Sequence, residues 1–90
     1  MGSRKDAPLS LGEMLKKELE KKRISQKSLA ENLGGSWTAP KVSEIVSGKR
    51  GLTIRSALDI EEILEIPAEN LLKCQMENKL WEERKRREDG

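Results

Sequence analysis

The sequence predicts an all-α fold of five short helices, and three observations carry that expectation. Apolar residues recur at three- and four-residue intervals through most of residues 11–81. Four of the runs open on a Ser or Thr placed as an N-cap: Ser10, Ser25, Thr38 and Thr53. The core has to be made of Leu, Ile, Val, Met and Ala, because the 90 residues include no Phe, no Tyr and only 2 Trp. Small aliphatic side chains of this kind pack well as short helices against one another. Ninety residues suffice for one small domain.

The elements follow in order. Residues 1–9 lack periodicity and contain Pro8, so they read as a flexible arm; Met1, Gly2 and Ser3 are set aside as a possible expression scar. Ser10 with Glu13 three residues on forms a capping box. Leu11, Met14, Leu15 and Leu19 then define a first helix to about Lys22, its last turn rich in Lys21, Lys22 and Arg23. Ser25 opens a second helix with Leu29, Ala30 and Leu33 inward, and Gly34 stops it as a left-handed cap. After the turn Gly35-Ser36-Trp37, Thr38 opens a third helix. Pro40 is harmless in its first turn, and Val42, Ile45 and Val46 face the core. Gly48 ends it and Lys49-Arg50-Gly51 forms a basic loop. Thr53 opens a fourth helix with Ala57, Leu58 or Ile60, Ile63 and Leu64 inward, broken at Ile66-Pro67. A fifth helix runs from Ala68 to about Arg84, with Leu71, Leu72, Met76, Leu80 and Trp81 as its apolar positions. The domain thus spans 10–81, and 82–90 is a charged, fraying tail.

Composition narrows the function. The chain is 34% hydrophobic and 38% charged, with a net charge of only +2. The charge is unevenly placed, however. Residues 16–55 hold ten Lys and Arg against four Glu, a net of +6; residues 56–72 hold five acids and no base, a net of −5. A basic side with an acidic back suits one-sided docking on a polyanion, although two ordinary solvated faces would give the same count. The longest apolar runs are two or three residues, so no membrane span is expected, nor is a signal peptide. The single cysteine, Cys74, has no internal disulfide partner, which fits a reducing cytoplasm, and reads as a small buried hydrophobe. With no His and one Cys, the chain offers no metal constellation, no nucleophile–base pair and no Gly-rich phosphate loop. Neither an enzyme nor a cofactor is expected.

The chemistry concentrates between Ile24 and Arg50. Two short helices joined by a Gly turn and followed by a basic loop are the minimal device for setting a helix in the DNA major groove. Gln26 and Lys27 open the second helix, where a side-chain amide, free N–H groups and the helix dipole can hold a phosphate. Thr38, Ala39, Lys41, Ser43 and Glu44 lie on the exposed side of the third helix. Lys41 can donate to guanine or to a phosphate, and Glu44 can accept from cytosine N4. Lys49 and Arg50, with Arg55 in the fourth helix and a hydrogen bond from Ser47, can clamp the sugar–phosphate backbone. An amphipathic helix and a solubilising loop are the plain alternatives. Trp37 reads as a core plug rather than a base-stacking platform, and Trp81 leans towards a subunit interface.

The five helices, with Ser25-Gln26 opening the second and Gly48-Lys49-Arg50 closing the third, resemble the lambda-repressor-like (XRE) DNA-binding domains. Within them, Gly12-Glu13-Met14-Leu15-Lys16-Lys17-Glu18-Leu19 and Ile24-Ser25-Gln26 resemble the start of HigA-type antitoxins. Gly48-Lys49-Arg50-Gly51-Leu52-Thr53, Ala57-Leu58, Leu71-Leu72-Lys73-Cys74-Gln75 and Leu80-Trp81 continue that likeness, which covers about residues 11–81. It implies a five-helix lambda-repressor-like fold with the helix-turn-helix at helices 2 and 3. It further implies that Gln26 contacts a phosphate and that Ser43 lies nearest the bases. It also implies a homodimer on an inverted-repeat operator in double-stranded DNA, and an antitoxin that represses its own operon and neutralises an mRNA-cleaving toxin protein. The sequence departs from the pattern at two places. The turn from Gly34 to Val42 is about two residues longer, which puts Trp37 where a small apolar residue normally sits. Asn78-Lys79 stands in place of Tyr-Asp. A stand-alone repressor, or a protein-interaction module whose longer turn spoils groove entry, are the other readings.

Overall fold

The computed structural model describes residues 7–89, so most of the arm expected at 1–9, and Met1, Gly2 and Ser3 with it, lies outside the described residues. Five helices follow: α1 (Leu11–Lys22), α2 (Gln26–Leu33), α3 (Ala39–Val46), α4 (Ile54–Leu64) and α5 (Ala68–Asp89). There is no strand among the described residues. The fold is all-α, as the periodicity predicts.

The four hydroxyl caps work as expected. Ser10, Ser25, Thr38 and Thr53 each accept a hydrogen bond from the backbone N–H three residues on, at 3.0 to 3.2 Å. Each such cap contributes about 1 kcal/mol. The capping box is modified, because Ser10 Oγ also donates to Glu13 Oε1 at 3.1 Å. Gly34 ends α2 with its N–H on the Ala30 carbonyl. Its φ of 67° and ψ of −164° lie outside the left-handed helical well expected of a cap, in a region that is essentially reserved for glycine.

Leu15, Leu29, Ile60, Leu64 and Leu71 are the large side chains removed completely from water, one or two from each of four helices. Burying each contributes about 1.5–3 kcal/mol. Val42, Ile45 and Val46 bring α3 into the same core. In α4 the inner position is Ile60, and Leu58 is exposed. In α5 Met76 and Leu80, read from the sequence as apolar positions of the helix, are exposed, because only the first half of the helix lies on the core through Ala68, Leu71 and Cys74. The helix also continues to Asp89 instead of stopping near Arg84. Arg86 and Arg87 both pair with Glu83 in its last turns, at 3.4 and 3.3 Å. This projecting half makes the molecule elongated, 41 Å along its longest axis against 24 and 19 Å across.

Contacts between residues distant in sequence then fix the position of α3. Gly12 on α1 lies so close to it that an added Cβ would sit 1.8 Å from the Val46 carbonyl oxygen. Gln75 on α5 grips Leu52 in the loop beyond: its Oε1 accepts from the Leu52 N–H and its Nε2 donates to the Leu52 carbonyl. Asn78 makes the matching grip one turn later, accepting from the Leu11 N–H at 2.8 Å and donating to the Leu9 carbonyl at 3.0 Å. The departure at Asn78 is therefore a structural anchor for the start of α1. Cys74 Sγ adds a contact to the same Leu9 carbonyl at 3.4 Å.

Candidate nucleic-acid interface

Helices α2 and α3 form the pair around the turn, and Trp37 fills the junction between them. Its ring is buried at 9% exposure, plugging the junction as expected. Its Nε1–H donates to Asp59 Oδ2 on α4 at 3.1 Å, which satisfies the one polar atom of the plug. The Trp37 N–H itself donates to the Gly34 carbonyl, closing the turn. The third helix therefore starts at Ala39, capped by Thr38, with Pro40 in its first turn.

With Val42, Ile45 and Val46 buried, α3 turns the other side outward. Thr38, Ser43 and Ser47 are exposed, and Ala39, Lys41 and Glu44 are half-buried. The Lys41 ammonium lies over the Trp37 ring, 4.3 Å from its centroid. At the far end, Arg50 folds back on α3. Its Nε and Nη2 each reach Glu44 Oε1 at 2.9 Å. The pair expected to contact a base and a phosphate separately is thus engaged with itself in the free protein. The Glu44 carbonyl is a second focus, accepting from the Lys49 and Arg50 N–H groups and from Ser47 Oγ. The Ser47 hydroxyl accordingly serves the helix end. Lys49 stays exposed beside it.

Gln26 and Lys27 occupy the first turn of α2, with the Ser25 hydroxyl taken by the Ser28 N–H. Gln26 lines an open groove with Lys16 and Arg23 of the α1–α2 corner. The sequence reading did not single out those two cations; the left-handed Arg23 (φ 57°) turns the corner that brings them together. Arg55 is exposed in the first turn of α4. Among the described residues no ion pair or side-chain hydrogen bond ties Lys16, Gln26, Lys27, Lys49 or Arg55 to a neighbour. Gly12 and Gln75, which entered only through the family likeness, and Asp59, which had no local cue, hold α3 or its flanks from other elements. Cys74 takes no part. Burial, and after it the charge of Glu77, pushes its thiol pKa up, which favours the unreactive protonated form.

No described helix is long and apolar enough to cross a membrane. No curated protein and no solved structure matches the chain. The sequence model of a family described as helix-turn-helix matches residues 15–71, which runs from the first helix into the fifth. The match takes in both helices around the turn and the core that supports them, and it makes the protein a DNA-binding transcription regulator. The chain belongs to the helix-turn-helix family of lambda-repressor-like (XRE) DNA-binding domains.

Proposed function

We propose that the protein reads a specific operator as a homodimer on an inverted repeat, placing α3 in the major groove of each half-site. The observation that supports this most directly is the two-sided character of α3. One side is fixed in the core by Val42, Ile45 and Val46, and the other presents Thr38, Lys41 and Ser43. In this reading Thr38, Ala39, Lys41, Ser43 and Glu44 face base edges. Gln26, Lys27, Ser47, Lys49, Arg50 and Arg55 face the sugar–phosphate backbone on either side. Two copies are invoked because one short helix makes too few base contacts, and paired half-sites multiply them. The exposed Met76 and Leu80 on α5, with the half-buried Leu72 beside them, form an apolar strip available to a second copy.

A narrower role, that of an antitoxin that represses its own operon and neutralises an mRNA-cleaving toxin, draws on the likeness at residues 12–19, 71–75 and 80–81. Gly12 and Gln75 already have structural tasks in those stretches, so the DNA-reading role carries more weight than the antitoxin role. Co-expression with the neighbouring gene tests the latter: a stable complex and rescue of growth support it, and their absence removes it. The interaction-module reading loses its motive, since the longer turn ends in a capped, regular α3.

Selection of duplexes from a random pool at moderate salt tests the main proposal. Enrichment of an inverted repeat, its half-sites about one helical turn (~34 Å) apart, is expected. Retention without any motif, or no retention, refutes specific reading.

A further inference from the structure

We infer that Trp37 and Asp59 are positioning residues for DNA reading: Asp59 fixes the Trp37 ring, and the ring fixes the Lys41 ammonium at the start of α3. This rests on the proposal that Lys41 contacts the operator. The chain of contacts is continuous. The Lys41 backbone N–H is held by the Thr38 cap at 3.2 Å. Its ammonium lies 4.3 Å from the Trp37 centroid, well within cation–π range. The indole is immobilised by burial and by its hydrogen bond to Asp59 at 3.1 Å. Lys41 is therefore tied at both its backbone and its charged end, while Lys27 and Lys49 are left free on the flanks.

A core plug alone does not call for this arrangement. A Leu or Met would close the junction without a buried N–H that needs a partner on α4. What Trp adds is a flat, electron-rich face directed at the one lysine on the exposed side of α3. A free lysine loses rotamer freedom when it docks on a guanine or a phosphate. A lysine already held over a ring has lost much of that freedom before binding. Asp59 lies among the acids of residues 56–72, yet its carboxylate points to the turn and not to solvent alone. The acidic stretch thus contributes one residue to the basic side.

A double-mutant cycle tests the inference. Trp37→Leu and Asp59→Ala are each made alone and with Lys41→Ala. Binding is measured on the duplex recovered from the random pool and on a scrambled duplex, and thermal melting verifies folding. Trp37→Leu is expected to weaken the selected duplex about two- to five-fold, the equivalent of an exposed cation–π contact. The scrambled duplex is expected to lose much less, and the loss should vanish once Lys41 is Ala. Asp59→Ala should follow the same pattern with a smaller change, and it decides the matter alone if Trp37→Leu does not fold. The same loss with and without Lys41 overturns the inference and leaves DNA reading intact. An unchanged affinity for Lys41→Ala overturns both the contact and its positioning. If no duplex is retained at all, the operator proposal falls and this one with it.

Discussion

The two ends of α3 are held by different physics. At the start, the fixing group is a buried indole, held by a part-buried hydrogen bond to Asp59, beside the exposed Thr38 cap. At the end, the main chain is fixed just as firmly, by the close approach of Gly12 and by the Gln75 grip on Leu52. The side chains there are not. Glu44 and Arg50 form a half-exposed ion pair, 44% and 50% open to solvent, which salt screens and a phosphate can compete for. In the proposed function, the start of the helix is a fixed reading edge and the end an adjustable clamp. One short helix can combine base discrimination with general affinity by separating them along its length.

The largest effect should come from disturbing the end of the helix through its main chain. Gly12→Ala puts a methyl 1.8 Å from the Val46 carbonyl, and both groups are backbone-bound, so α1 and α3 have to separate. A loss of about 3 kcal/mol or more is expected, visible as a lower urea midpoint. A melting curve that matches the native one would show that α3 is not pinned there. Gln75→Ala comes next. It leaves the Leu52 N–H and carbonyl without their partners in a half-buried site, at about 1–3 kcal/mol. Faster amide exchange across residues 48–53, with α2 unchanged, would separate a loosened clamp from general unfolding.

These two residues also mark what could be read in the sequence. The caps, the apolar stripes and the Trp37 plug were legible because each signal is local, within one or two helical turns. Gly12, Gln75, Asn78 and Asp59 were not, because their partners lie 22 to 69 residues away and nothing near them marks the pairing. Gly12 appeared only as part of a likeness to a family; its reason is a carbonyl on another helix. Met76 and Leu80 failed the other way. Their spacing fits a buried stripe, but whether a stripe is buried depends on where α5 outruns the body, which periodicity does not encode. In the candidate site the exposed side of α3 was legible, while the pairing of Glu44 with Arg50 across the helix end was not.

At the clamp itself, Lys49→Ala combined with Arg50→Ala should weaken selected and scrambled duplexes alike. Removing two phosphate contacts is expected to lower the slope of log affinity against log salt by about two. Lys41→Ala or Ser43→Ala should instead reduce the ratio between the two duplexes. If both sets of variants changed that ratio equally, the division into reading edge and clamp would be wrong.

The smallest effect is the most discriminating. In the free protein Glu44 takes two donors of Arg50, so Arg50 reaches a phosphate only by giving up that pair. If Glu44 acts mainly on Arg50, then Glu44→Gln leaves the guanidinium uncompensated and binding to every duplex tightens. The gain should be about two- to five-fold at low salt, the scale of an exposed ion pair of up to about 1 kcal/mol, and should fade as salt rises. The scrambled duplex should gain at least as much as the selected one, so that specificity falls while affinity increases. If Glu44 acts mainly by accepting from a cytosine amino group, the same change weakens the selected duplex and leaves the scrambled one where it was. The two roles predict opposite signs on one duplex, so a titration at two salt concentrations separates them, and with them a clamp restrained by its neighbour from a second reading edge.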